Sequence, residues 1–318
     1  MNSKQLTIHK IDIPPGNSEV VKIQVGRIPS GAPVSIHAHV FRSLIDGPTV
    51  LVLGGVHGDE VNGVEIVRQS IQSGMFTRLI TGTVVAIPIL NVYGFINFSR
   101  DVPDGKDVNR SFPGSFRGSL ASRVARVLSK KVLPEIDFGV DFHTGGRSIY
   151  NYPQIRYTVD NPDAEKLARA FGPPHILAKK PISKSLRKYA HEKKKPVLVF
   201  EGGENLRLDP YSIEVGMKGL RRLLVSQGML TGTVEEIKST HYRKSSWLRA
   251  PRAGMFRATK QAGQLVRKGE IIGSIIAPYG GQMYALKAHY SGHIIGHSNL
   301  PVINQGDGLF HIAYTPEE

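Results

Sequence analysis

Apolar and polar residues alternate near the start of the chain. Leu6, Ile8, Ile11 and Ile13 predict one strand, Val20, Val21, Ile23 and Val25 a second, and Val34, Ile36, Ala38 and Val40 a third. Pro14-Pro15-Gly16 and Pro29-Ser30-Gly31, both turn-forming clusters, separate them. His37 and His39 fall on the face opposite the third apolar set and read as a solvated strand face.

The pattern then changes. Residues 48–53, 83–90, 138–142 and 196–200 are short, continuous apolar runs, the signature of strands covered on both faces. Between them lie stretches with helical spacing. Val61, Val64, Ile66, Val67 and Ile71 mark one over 61–74, and Leu120, Val124, Val127 and Leu128 mark another over 119–133. Further helices are predicted over 164–171 and 213–228. Strands alternating with helices predict an α/β fold with a mixed, largely parallel sheet flanked by helices.

After about residue 231 the helical period vanishes, and from Val234 short strands with frequent glycine are expected. Ala253-Gly254-Met255-Phe256 with Val266-Arg267-Lys268-Gly269-Glu270 resembles Ser291-Gly292-His293-Ile294 with Val302-Ile303-Asn304-Gln305-Gly306-Asp307. Two related β-rich halves predict a small sandwich or barrel. The division read here is a catalytic domain over 1–230 and a β-rich cap domain over 231–318.

Composition narrows the chemistry. The 318 residues include no cysteine, so disulfides, thiolate nucleophiles and Cys-held zinc are excluded, and any metal must sit on His, Asp or Glu. No apolar run approaches the roughly 20 residues of a membrane span. Residues 1–16 lack the apolar core of about 7–15 residues that marks a secretory signal, so a cytoplasmic protein is expected. The net charge of +15 admits a polyanion-binding reading. Within the basic stretch 179–195, however, only Tyr189 and His191 offer rings, too few for a base-stacking platform. No nucleic-acid or membrane partner is expected, and a homo-oligomer is left open.

The strongest chemical signal is Gly54-Gly55-Val56-His57-Gly58-Asp59-Glu60, just past a buried strand. In open α/β sheets, sites form at the carboxyl ends of strands. His57 and Glu60 supply two metal ligands there, and His143, at the end of another buried strand, is the third candidate. Two His and one Glu leave a coordination position open, the arrangement of catalytic Zn2+. A polar loop follows with Arg100, Asp107, Asn109 and Arg110, and arginine suits planar carboxylates. Glu201, in Phe200-Glu201-Gly202-Gly203, ends a further strand and can carry a proton from water to a leaving amine, with Glu204 a nearby rival.

Taken in order, His-Gly-Asp-Glu, Asp-x-Asn-Arg-x-Phe-Pro-Gly, Asp-x-His and Glu-x-Gly resemble the succinylglutamate desuccinylase/aspartoacylase family, related to the zinc carboxypeptidases. The resemblance covers most of residues 50–210. It implies that His57, Glu60 and His143 bind Zn2+, and that Glu201 is general base and acid. It further implies that Arg100 polarises the scissile carbonyl, that Asn109 and Arg110 hold a substrate carboxylate, and that Asp107 braces this substrate-binding loop. The implied activity is hydrolysis of the amide bond of an N-acyl amino acid or similar small carboxylate, an ester being open as well. The alternatives are a zinc carboxypeptidase acting on peptides and a non-catalytic basic protein that binds polyanions.

The C-terminal part resembles the β-domain of these deacylases, built like a biotinyl/lipoyl hammerhead. Its hairpin tip, Pro278-Tyr279-Gly280-Gly281-Gln282, has no lysine, and Lys287 lies beyond it. No lipoyl or biotinyl attachment is therefore expected, and the region reads as a cap or subunit contact. His289, His293, His297 and His311 read as surface or packing residues.

Overall fold

The computed structural model describes residues 5–233 and 237–315. Val234, where the C-terminal strands were expected to begin, lies outside them. The first expected strand is instead a tiny hairpin, β1 (Thr7–Ile8) and β2 (Ile11–Asp12). His9 and Lys10 between them take positive φ, +49° and +67°, and reverse the chain. β3 (Ser18–Arg27) and β4 (Pro33–Arg42) are the second and third expected strands and pair antiparallel, with Ile23, Ile36, Ala38 and Val40 buried.

The centre of the protein is made by β5 (Thr49–Leu53), β6 (Thr83–Ile87), β7 (Phe138–Gly145), β8 (Ile149–Thr158), β9 (His175–Lys179) and β10 (Val197–Glu204). β6, β5, β7 and β10 lie side by side and parallel, so their carboxyl ends open onto one edge. β8 runs antiparallel to β10 on the far side, and β4 antiparallel to β6 on the near side. Leu51 and Leu53 point into one core with Val85, Ile87 and helix α3 (Leu120–Val127), as does Leu186 of α5 (Leu186–Glu192). Val50 and Val52 point into a second core, with Val140, Phe142 and Phe200. That face is covered by α1 (Val61–Gln72), α4 (Pro162–Phe171) and α6 (Pro210–Ser226). A short α2 (Val92–Ile96) follows β6. The helix expected over 119–133 is α3 continued by a π-helical turn over Leu128–Val132.

Two close approaches shape the edge that carries the site. A Cβ on Gly58 would stand 1.9 Å from the carbonyl carbon of Gly94 in α2, and one on Gly63 would stand 2.4 Å from the carbonyl oxygen of Phe142. Only glycine lets the turn after β5 and the first turn of α1 pack so tightly against backbone.

The C-terminal part is all β and largely antiparallel: β11 (Thr240–Tyr242), β12 (Lys244–Arg249), β13 (Gly254–Ala258), β14 (Leu265–Val266), β15 (Ile271–Ile276), β16 (Tyr284–Lys287), β17 (Gly292–Ser298), β18 (Val302–Ile303) and β19 (Gly308–Tyr314). The two similar halves interlock: β14 pairs with β17 of the other half, and β18 pairs with β13. Leu248, Phe256, Ile272 and Phe310 fill the core between them. Main-chain pairing also crosses the division read near residue 230. β11 adds to β9, β17 adds to β8, and β12, β14 and β19 follow through β17, so these five strands bring the central sheet to 13 among the described residues.

Candidate active site

The parallel strands bring the candidate residues to one place. His57 and Glu60 follow β5, His143 lies near the end of β7, and Glu201, directly opposite His143 in the register, lies on β10. His57, Glu60 and His143 are all buried, and their ligand atoms lie within 4.8 Å of one another. Nδ1 of His57 and Nδ1 of His143 are 3.2 Å apart, and each is 2.7 Å from a Glu60 carboxylate oxygen.

The outer nitrogens explain why those inner atoms form a cation site. Nε2 of His143 is 2.7 Å from Asp141, and Nε2 of His57 is 3.2 Å from Asp107. A carboxylate only accepts, so each Nε2 carries a hydrogen toward its own carboxylate, and each Nδ1 faces an oxygen of Glu60. With a metal bound, each Nδ1 would exchange its hydrogen toward Glu60 for a lone pair offered to the ion. Imidazoles oriented by carboxylates are the usual surroundings of a bound metal. The residues fit a metal ion.

The surrounding carboxylates favour positive charge at this place, whether from protons or from a metal. Burial opposes charge on both histidines, but Glu60 and Asp107 hold the His57 pKa above its ordinary value, and Asp141 and Glu60 hold that of His143 well above. Burial also opposes charge on Glu60, yet the two imidazoles keep its carboxyl far below the ordinary range. Nη1 of Arg100 reaches the same cluster, 3.1 Å from Glu60 and 3.2 Å from Nδ1 of His57.

Asp107 caps a short 3-10 turn (Val108–Arg110) by accepting from the Asn109 backbone N–H at 2.6 Å. Its carboxylate also takes Arg100 at 2.9 Å, so His57, Arg100 and the turn all converge on it. Burial works against that charge, but the hydrogen bond from His57 and the Arg100 guanidinium hold the carboxyl far below its ordinary range. Asp107 stands behind the cleft, whereas Asn109 and Arg110 line it. Oδ1 of Asn109 accepts the Leu186 N–H at 2.9 Å, which leaves its amide N–H groups for a ligand. Arg110 is exposed at the rim and donates only to the neighbouring carbonyl of Asn109 at 2.7 Å.

Glu201 lines this cleft of about 290 Å³, and Glu204 does not: Glu204 accepts from Asn299 instead. Four further lining residues carried no sequence signal. Asn151 and Arg156 come from β8, Arg187 from α5 and Trp247 from β12. Arg187 is buried and donates to the carbonyl of Lys180 at 3.2 Å; burial and the neighbouring Arg156 push its pKa down to about 10. Trp247 stacks on His311, which the C-terminal sheet places beside it. His311 and His297 are buried and His293 is half-buried; Lys287 lies on β16, not on the hairpin tip.

Residues 46–226 match the model of the succinylglutamate desuccinylase/aspartoacylase catalytic domain, and the chain belongs to that family. It is 26% identical to an N-alpha-acetyl-L-2,4-diaminobutyric acid deacetylase from Halomonas elongata, over 86% of this chain and 84% of the relative. Among solved structures it resembles a succinylglutamate desuccinylase/aspartoacylase from Rhodobacter sphaeroides, with TM-score 0.83 and 26% identity over 95% of this chain and 96% of the other. It also shares the fold of the product-bound ectoine utilization protein EutE (DoeB) from Ruegeria pomeroyi, with TM-score 0.84 and 23% identity over 94% and 95% of the two chains. The family is one of deacylases, and among the described residues no helix is long and apolar enough to cross a membrane.

Proposed function

We propose that this protein is a zinc-dependent hydrolase that cleaves the amide bond of a small N-acyl amino acid. Residues 1–230 carry the chemistry, and residues 231–318 close over it. His57 and His143 would hold the ion through Nδ1, and Glu60 through its carboxylate. Bound there, zinc supplies Lewis acidity and lowers the pKa of water toward about 7.

The chain's own groups do the rest. Glu201 takes a proton from the attacking water and returns it to the departing amine. Arg100, beside Glu60, polarises the acyl carbonyl and steadies the oxyanion. Arg110 and the free amide of Asn109 hold the amino-acid carboxylate at the rim. Asp107 braces His57, Arg100 and the turn that presents Asn109.

The observation that carries this reading is the convergence of both imidazole Nδ1 atoms and the Glu60 carboxylate at one buried place, with Glu201 opposite His143 on the next strand. The modest cleft volume favours a small substrate over a peptide. The deacetylase activity of the Halomonas relative points the same way. The test is metal analysis of the purified protein with a panel of N-acetyl, N-succinyl and longer N-acyl amino acids, and peptides with a free C-terminus as a further arm. One zinc per chain and chelator-sensitive hydrolysis of an N-acyl amino acid are expected. Turnover that survives complete removal of metal would defeat the zinc reading, and preference for peptides would defeat the substrate reading.

A further inference from the structure

Glu201 is held from two sides by the neighbouring strand. In the antiparallel pairing of β8 with β10, Val199 stands opposite Arg156 and Gly203 opposite Asn151. Each partner is therefore diagonal to Glu201, close enough for long side chains to meet. Nη1 of Arg156 lies 2.9 Å from Oε1, and the Asn151 amide donates to Oε2 at 2.8 Å. The pairing is irregular between Glu201 and Gly203, and it is at this irregularity that Asn151 comes within reach.

We propose that Arg156 and Asn151 are positioning residues for Glu201, holding both oxygens of its carboxylate so that it faces the cleft in one fixed orientation. The inference rests on the role of Glu201 given above. A carboxylate has about four lone-pair sites, so each oxygen keeps one for a water or an amine after these two bonds. A free glutamate side chain has several rotamers, and ordering it costs conformational entropy. Two fixed donors on β8 meet that cost in the folded protein, before substrate arrives.

The surroundings show why Arg156 is needed for this. Arg187 is a buried guanidinium of the same cleft wall, and Lys179 is close by. Burial, then repulsion from Arg156, lowers the pKa of both. The side chain of Glu201 is only 12% exposed. Without Arg156 its carboxylate is left in a low-dielectric wall and turns to Arg187, a cation of the same wall whose charge already interacts with it, away from its position beside Asn151. Asn151 alone offers one neutral hydrogen bond, weaker than the charge-assisted one it would compete with.

The test uses the metal-loaded full chain with Arg156→Met, Arg156→Lys and Asn151→Ala, assayed on whichever N-acyl amino acid the unmodified protein hydrolyses. Arg156→Met should lower kcat by about 100-fold, the loss expected of a displaced catalytic group, with KM, metal content and thermal midpoint nearly unchanged. Arg156→Lys should recover part of kcat, because an ammonium can hold one oxygen though not in the planar fork. Asn151→Ala should lose less than Arg156→Met. An unchanged kcat, or a raised KM with kcat intact, overturns the proposal; the second result would make Arg156 a substrate anchor. A crystal structure of the Arg156→Met protein reads the same point without turnover. Glu201 should be found turned toward Arg187, and Glu201 left in place overturns the proposal even if no substrate has been identified. Failure of the unmodified protein on the whole panel would count against the deacylase reading alone.

Discussion

His143 and Glu201 stand directly opposite one another on parallel neighbours, β7 and β10, and both project into the same cleft. The proposed metal ligand and the proposed proton carrier are thus spaced by one strand separation of about 4.8 Å. Glu201→Gln keeps the size of the side chain and one acceptor but loses the base. It should bind metal and fold as before while kcat falls by about 10²–10⁴, the usual contribution of a general acid–base group. Steady-state kinetics beside metal analysis check this, and a variant with unmodified kcat would remove Glu201 from the mechanism.

Asp141 holds the His143 ring in place through a 2.7 Å bond to Nε2. Asp141→Asn can present an acceptor to that nitrogen but no charge. Zinc affinity should fall by about 10–100-fold, as is common when such an orienting carboxylate is changed. Competition against a chromophoric chelator measures it. Equal affinity in the two proteins would mean that the site does not depend on this carboxylate.

Trp247 is the only tryptophan in the sequence, so its fluorescence reports one place in the molecule. Its ring lies 11° from parallel over His311, with centroids 4.6 Å apart, and it lines the cleft. Underneath, a Cβ on Gly308 would approach the indole within 2.9 Å, so the ring has little room to shift. Saturating amounts of an N-acyl amino acid or its products should therefore change the emission of the metal-loaded protein. Calorimetric binding without any optical change would place the ligand away from this wall.

His175 predicts a pH effect on stability. It is buried near His293 and Tyr242, and neither ring nitrogen has a partner. Burial, and then His293, push its pKa down to about 4. Below pH 6.5 the unfolded chain takes up a proton that the folded one refuses, so stability falls as pH drops from about 6.5 toward 4. The loss from this residue is on the order of 3 kcal/mol. Denaturant unfolding of the unmodified protein and of His175→Leu, followed from pH 7.5 to 4.5, should show a shallower acid decline in the variant. Parallel curves would assign the decline to other groups.

The central strands were legible because burial on both faces leaves an unmistakable apolar run, as in Val50 to Leu53 or Val197 to Phe200. His57, Glu60, His143 and Glu201 were legible for the same reason, since each closes or follows such a run. β8 was not, because Asn151, Pro153, Gln154 and Arg156 interrupt its apolar residues and give no period. Helix α5 was hidden inside a stretch that reads mainly as positive charge, although Leu186 and Ala190 are buried at helical spacing. The hairpin at His9 and Lys10 was missed because positive φ at residues other than glycine leaves no mark in the pattern.

Local order therefore carried the candidate metal ligands and Glu201: their strands are parallel neighbours, and parallel strands bring their ends to one edge whatever else the chain does. The rest of the cleft wall depended on pairings between distant segments. Arg156 and Asn151 reach Glu201 through the antiparallel register of β8 with β10. Trp247 arrives because β12, β19 and β17 extend the sheet onto β8. Hydrogen bonds between strands fix such contacts, and their register is a property of the folded sheet that no short stretch of residues encodes.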